Sequence, residues 1–244
     1  MADRYFVESP ISGPTACLTG AEAHHLLHVM RSKPGDRVTL FDGSGSEFAA
    51  TITAAGRSDV ELVIEGATSV DRELPIAIHL GVSLPKAQRQ QWLVEKAVEL
   101  GTRRLIPLET KRGVVVPTSS TLVRLRRQVI EASKQCGRNR LMEIAAPQPL
   151  ADYLHDGTQG LRLFAHPGGG PLVDVLRDWK TPGASSGSVV VAIGPEGGFT
   201  DDEAELAMQH EWKLVSLGKR ILRVETAAIM SAAVVAGLVE SSSR

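Results

Sequence analysis

The chain has 244 residues, 43% of them hydrophobic and 23% charged, with a formal net charge of −1 at pH 7. That is enough apolar material for a real core, in one large domain or a small one plus a larger one. No apolar run reaches the roughly 20 residues needed to span a bilayer, and the N-terminus lacks the charged-then-apolar pattern of a signal peptide, so a soluble cytoplasmic protein with no membrane contact is expected.

The first segment reads as short strands. Arg4–Val7, Arg37–Asp42, Ser46–Thr53 and Val60–Glu65 are rich in β-branched and aromatic residues, with turn signals at Asp42-Gly43, Ser44-Gly45 and Gly56 between them. Strands at this spacing predict a small barrel. One helix interrupts them, capped by Thr19 and running from Ala21 to Met30 before Lys33-Pro34-Gly35-Asp36. His24 and His28 share a face of that helix at i,i+4, but no third ligand stands nearby, and no metal is expected. Cys17 and Cys136 are far apart and lack metal-ligand spacing, which predicts reduced, buried thiols.

Around Asp71-Arg72-Glu73-Leu74-Pro75 the pattern changes to alternating strands and helices, which places a boundary between a domain of residues 1–72 and one of 73–244. Strands are predicted at Ile76–Ser83, Arg104–Leu108, Leu161–Ala165, Val189–Ile193 and Lys213–Leu217. Helices are predicted at Gln88–Leu100, Thr121–Gln135, Pro171–Trp179, Asp201–Gln209 and Glu225–Glu240. The alternation predicts an α/β fold with a mostly parallel sheet covered on both faces.

Charge is unevenly divided along the chain. Residues 1–72 hold six Lys/Arg against ten Asp/Glu, a balance of −4, whereas residues 86–140 hold thirteen against four, a balance of +9. Such clustering points to a polyanion partner or to a solvated face. In the helix near 121–135, Leu122, Leu125, Val129, Ala132 and Cys136 form an apolar stripe, leaving Arg124, Arg127, Lys134 and Arg138 on another face. With Lys111, Arg112 and Arg140 they form a candidate groove for RNA phosphates.

The densest stretch is Ile193-Gly194-Pro195-Glu196-Gly197-Gly198-Phe199-Thr200. It follows a continuous apolar strand and precedes the capping box Thr200-Asp201-Asp202-Glu203, so its glycines sit at the carboxyl end of a parallel-type strand. A plain β-turn uses the same residues, and both readings stand on local sequence alone. Two more glycine turns follow late strands, one at His166-Pro167-Gly168-Gly169-Gly170 and one at Leu217-Gly218-Lys219-Arg220-Ile221-Leu222. If the strands are neighbours, the three loops converge around an adenosine-sized ligand. Neither a dinucleotide fingerprint nor a P-loop is present.

At these residues the chain resembles a known family. Ile193–Phe199 together with Leu217-Gly218-Lys219-Arg220-Ile221-Leu222-Arg223-Val224-Glu225-Thr226-Ala227 look like the second and third knot motifs of the bacterial small-subunit ribosomal RNA uridine-N3 methyltransferases, of the SPOUT class. Arg4-Tyr5-Phe6 and His25 through Arg31 to Gly35-Asp36 are similar to that family's N-terminal PUA-like β-barrel, and Leu84-Pro85-Lys86, Glu95–Gly101 and Glu131–Arg138 to its central segments. Met30 and Met142 depart from the pattern.

The resemblance implies a SPOUT α/β domain with a C-terminal trefoil knot behind a PUA-like domain, acting as a homodimer on 16S ribosomal RNA in the assembled small subunit, without a metal. S-adenosylmethionine is the implied cofactor, with Ala165, His166, Ile193, Gly194, Pro195, Glu196, Gly197, Gly198, Leu217, Gly218, Arg220, Ile221 and Leu222 as its expected contacts. Arg4, His25, Arg31, Lys86 and Arg89 join the expected RNA contacts. The apolar helix Ala227–Val239 is a dimer or knot-packing element, or an ordinary core helix.

Methylating uracil N3 requires loss of the imide proton and stabilisation of charge on O2 and O4. Arg223 suits an oxyanion or phosphate partner, and Glu225 or Glu196 a base or orienting group. Both glutamates also read as helix caps or loop-holding residues. Two rivals remain: a non-catalytic ribosomal RNA-binding or assembly protein, and an enzyme binding a nucleotide phosphate at Gly194–Gly198. Glu196 and the Asp201-Asp202-Glu203 cluster stand against the second.

Overall fold

A computed structural model describes residues 3–155, 159–179 and 187–241. The chain falls into two compact units. The first comprises residues up to Glu73 together with Ser133–Leu141, and the second comprises Leu74–Ala132 and the chain from Met142.

In the first unit β1 (Arg4–Phe6), β2 (Thr15–Thr19), β3 (Arg37–Phe41), β4 (Ser46–Ala55) and β5 (Asp59–Ser69) form one sheet in the order β1-β3-β4-β5-β2. β1 runs parallel to β3, and the other pairings are antiparallel. Period-2 alternation buries Phe48, Ala50 and Ile52 of β4 with Val38, Leu40, Val60 and Leu62. The β4–β5 ladder shifts register at Ala49/Ala50 and again at Ile52/Ala54, irregularities of the kind that bend a sheet.

Three expectations are corrected here. β2 has no counterpart among the predicted strands, because of its five residues only Leu18 is buried and alternation is weak. The predicted helix from Ala21 to Met30 splits into α1 (Gly20–His24) and a π-helical turn, His25–Val29, and Thr19 makes no side-chain cap. Neither thiol is buried: Cys17 is exposed and Cys136 partly so.

A network of partly buried charges holds this unit together. Glu47 accepts hydrogen bonds from Arg4 and Arg72. Asn139 joins them, accepting from Arg4 Nη2 at 2.7 Å and donating to the Val70 carbonyl at 3.2 Å. Arg138 pairs with Glu73, and Lys134 with Glu22. These bonds are why Ser133–Leu141 groups with the strands. Burial pushes the Glu47 carboxyl up, but the bonds from Arg72 and Arg4 together outweigh it and hold the group below the ordinary carboxylate range.

The second unit is a parallel sheet. Its strands are β6 (Ala77–Val82), β7 (Arg104–Glu109), β8 (Glu143–Ile144), β9 (Gln148–Pro149), β10 (Leu161–Pro171), β11 (Ser188–Ile193) and β12 (Lys213–Ser216), in the order β12-β10-β11-β6-β7-β8 with β9 also beside β7. Its helices are α2 (Gln88–Glu99), α3 (Ser119–Cys136, whose last turn groups with the first unit), α4 (Leu150–His155), α5 (Leu172–Asp178), α6 (Asp201–Gln209) and α7 (Val224–Ser241).

Ile106, Leu108, Tyr153, Phe164, Val190, Ala192, Phe199 and Trp212 form a core under α4 and α6. α7 packs on β6, β11, α2 and α5. Covered strands explain the apolar run Val189–Ile193 of β11 and the mostly apolar β6, which His79 interrupts. By length and composition α7 would suffice to cross a membrane, yet it lies on this sheet.

Two outcomes follow for the first unit. Because the folded-state pKa of Glu47 lies below its unfolded value, the stability it adds is complete above about pH 4.5 and is lost as pH falls through the folded value. Urea unfolding of wild type and Glu47→Gln should therefore converge on acidification. Arg138, 3% exposed, leaves Glu73 without its cation when replaced by alanine, at a cost of about 3–5 kcal/mol in the same assay.

Candidate functional site

The sheet order makes β12, β10 and β11 neighbours, so the loops at their carboxyl ends meet. β10 reaches Ala165 in register with Val215, then bulges, and returns to Val215 with Gly170. The residues expelled from the ladder are His166-Pro167-Gly168-Gly169, and His166 Nδ1 accepts the Gly168 amide at 3.1 Å. A Cβ on Gly169 would overlap the Leu214 and Val215 backbone, so only glycine admits the bulge.

β11 ends at Ile193, and the Gly198 amide closes the following turn onto the Pro195 carbonyl at 2.8 Å. Thr200 and Glu203 form the reciprocal capping box of α6, Glu203 accepting the Thr200 amide at 2.7 Å and Thr200 accepting the Glu203 amide at 3.3 Å. Gly194 lies against the Phe199 ring, which stacks on Phe164 with centroids 4.0 Å apart. After β12, Leu217–Leu222 crosses to α7, with the Gly218 amide on Ser216 Oγ at 3.3 Å.

These loops enclose a cavity of about 500 Å³. Ala165, His166, Ile193, Gly194, Pro195, Glu196, Gly197, Gly198, Leu217, Gly218, Arg220, Ile221 and Leu222 all line it, joined by Val224 and Ala227 from α7. Its walls are largely backbone and apolar side chain, a composition suited to an adenosine-sized molecule. The capping box and Asp201 put negative charge at the α6 N-terminus, where a phosphate would otherwise be favoured.

Arg112 is drawn into this wall rather than onto an open groove. Its Nη1 donates to the Gly197 carbonyl at 2.9 Å and to that of Phe199 at 3.4 Å, clamping the glycine turn. Arg89 joins the two glutamates, with Nη2 3.3 Å from Glu196 Oε1 and Nη1 3.7 Å from Glu225 Oε2. Arg223 is exposed and starts α7 by accepting the Ala227 amide on its carbonyl at 2.9 Å. Sequence reasoning foresees neither the Arg112 nor the Arg89 contacts, since each joins residues more than 80 positions apart.

The remaining basic residues divide by partner. Arg4, Lys134 and Arg138 are committed to carboxylates. Lys111 pairs with Asp202, and their hydrogen bond raises the lysine and lowers the aspartate. Arg124 reaches Gln90 Oε1 at 3.5 Å while staying exposed, as do Arg31, Lys86, Arg127 and Arg140. His25 lies against the Tyr5 ring, with centroids 6.0 Å apart. His24 and His28 approach with ring centroids 4.7 Å apart. Among the described residues no group of three or more His, Cys, Asp or Glu is placed to hold a metal.

Comparison with known proteins matches residues 72–236 to the RNA methyltransferase domain family and residues 18–65 to the RNA methyltransferase PUA domain family. The chain is 33% identical over 231 residues to the ribosomal RNA small subunit methyltransferase E of Synechocystis sp., covering 93% of this chain and 74% of that one. Among solved structures, a methyltransferase from Legionella pneumophila in complex with bound SAM superposes with a TM-score of 0.89 at 31% identity, covering 98% of both chains. The ribosomal RNA small subunit methyltransferase E of Neisseria gonorrhoeae bound to S-adenosyl methionine gives 0.87 at 30%, with the same coverage.

A Cβ on Gly194 would stand 3.0 Å from Phe199 Cδ2, and that ring is held by Phe164. Gly194→Val should therefore destabilise the protein by about 1–3 kcal/mol, read as a lowered urea midpoint at unchanged slope.

Proposed function

The chain belongs to the RNA methyltransferase family, and from that membership we propose that it transfers the methyl group of S-adenosylmethionine to N3 of a uridine in small-subunit ribosomal RNA. The observation that carries this reading is the single cavity built by three glycine-bearing loops at neighbouring strand ends. The SAM-bound relatives of closely similar fold support the choice of cofactor. The residues present fit the group. Backbone amides and carbonyls can hold an uncharged adenosine, and the acidic start of α6 favours a cationic sulfonium over a phosphate.

When bound, S-adenosylmethionine supplies an electrophilic methyl on a positively charged sulfur. The protein's tasks are alignment of that methyl with N3, acceptance of the imide proton and offset of charge on O2 and O4. Glu196 and Asp201 line the cavity and Glu225 meets Arg89 beside it, while Arg223, exposed just before α7, joins the cavity-lining Lys219 and Arg220 as a cation available to an oxyanion or phosphate. The target base has to be unstacked, which suits a protein gripping the RNA backbone through exposed Lys86, Arg124, Arg127 and Arg140.

Residues 1–72 act in this reading as an RNA-binding PUA-like domain and residues 73–244 as the methyltransferase domain, with a C-terminal trefoil knot. Work as a homodimer on the assembled subunit in the cytoplasm belongs to the same proposal. Support for pairing comes from the apolar surface left open: only 44% of α7 is buried, Ile221 is 99% exposed and Trp92 is 44% exposed.

Calorimetric titration with S-adenosylmethionine and, separately, ATP tests the proposal. Binding of the former alone is expected. Gly197→Val, whose side chain meets Arg112 at the cavity wall, should weaken it by about tenfold or more, or about 1.4 kcal/mol. Preference for ATP, or no binding by the folded protein, would favour a phosphate-using enzyme or a non-catalytic assembly protein.

A further inference from the structure

We propose that Glu196 is the group that accepts the uracil N3 proton, that Arg89 is the positioning residue that aims it, and that Glu225 is the buried anchor of Arg89. This assignment rests on the function proposed above and separates two glutamates which that reading leaves equivalent.

Access separates them first. Glu196 lines the cavity, and its side chain is 46% exposed, so it can meet a base and return a proton to water. The Glu225 side chain is 8% exposed, does not line the cavity, and its Oε2 is closed to solvent. A substrate proton has no path to that oxygen.

The second observation is the state of Glu225 Oε2. It has no hydrogen-bond partner, and its ion pair with Arg89 spans 3.7 Å. A buried carboxylate without full compensation is costly, and the first turn of α7 together with the Arg89 charge offsets that cost. The unfilled acceptor keeps a place for Arg89 to move into. Arg89 itself stands on the first turn of α2, a rigid element packed on α7, and leans on Glu196 at 3.3 Å.

This geometry suits the charge change of the reaction. The imide proton passes from N3 to a Glu196 oxygen, and the electron pair left on N3 forms the bond to the methyl carbon. The methyl–sulfur bond breaks with its pair going to sulfur, turning a sulfonium into a neutral thioether. Once Glu196 is neutral, its hold on Arg89 weakens. The guanidinium then closes onto the open Glu225 oxygen, so its charge is never left without a partner, and Glu196 later sheds the proton to solvent.

The test uses the full-length protein with small ribosomal subunits isolated from cells lacking the modification, measuring kcat, KM for the subunit, S-adenosylmethionine affinity, and amide exchange of the 195–199 turn without ligand. Glu196→Gln should lower kcat by about 10²–10⁴-fold with cofactor affinity kept. Arg89→Ala should lower kcat by about 10²-fold at constant KM, with Arg89→Lys recovering part of the loss. In the unliganded protein Arg89→Ala should also speed exchange at the turn. Glu225→Gln should resemble Arg89→Ala and fall short of Glu196→Gln.

Full turnover in Arg89→Ala overturns the assignment, and so does a Glu225→Gln loss that exceeds the Glu196→Gln loss. A wild-type protein that neither binds the cofactor nor methylates subunit RNA overturns the proposed function beneath it, and this assignment with it.

Discussion

The site depends on how closely three parallel strands can end beside one another. β10 lies between β11 and β12, so its terminal loop has to leave the ladder while the strands on either side stay paired. The bulge after Ala165 achieves this only because Gly169 brings no side chain against the Leu214 and Val215 backbone. Gly194 then lets the Phe199 ring close over the end of β11. The same absence of side chains that allows the close approach leaves backbone groups facing the cavity. Packing and binding surface therefore have one origin here.

Placing such a cavity at a sheet edge requires the remainder of the loop system to be held from outside. Arg112 does this from the segment after β7, bonding the carbonyls of Gly197 and Phe199 that the turn itself leaves free. The capping box of α6 fixes the other end of the turn, and Glu203 also accepts the Lys111 amide at 2.8 Å. One carboxylate thus ties the helix start to the same β7–α3 connection that supplies Arg112. The turn is held by polar bonds on both flanks and by the Phe164–Phe199 stack beneath it.

How much of this the sequence discloses depends on the range of the interaction. Every long strand and helix of the second unit is legible, because a buried parallel strand writes a continuous apolar run and a helix writes a 3.6-residue stripe. The α6 boundaries, set by Thr200 and Glu203 three residues apart, fall where the sequence puts them. The cavity-lining loops are legible for the same reason, since glycine after a buried strand is a local signal.

What does not show is anything built from distant side chains or weak patterns. α4, six residues long, and the two-residue strands β8 and β9 are too short for periodicity. β2 offers one buried side chain in five. The π-helical turn at His25–Val29 replaces regular helix with no glycine or proline to announce it.

The basic residues carry the clearest lesson about composition. A balance of +9 over residues 86–140 points to a polyanion partner or a solvated face, yet the cations of that stretch are divided among several tasks. Lys134 and Arg138 offset half-buried carboxylates, and Arg112 and Arg89 order the cavity wall and the glutamates near it. Lys86, Arg124, Arg127 and Arg140 face solvent. Charge count measures the long-range field that draws in a polyanion. It does not distinguish cations that meet the polyanion from those whose charge is already spent inside the fold. Glu22 lies in the net-acidic part of the chain and pairs with Lys134 of the basic stretch, so the two opposite imbalances, −4 and +9, cancel partly within the first unit itself.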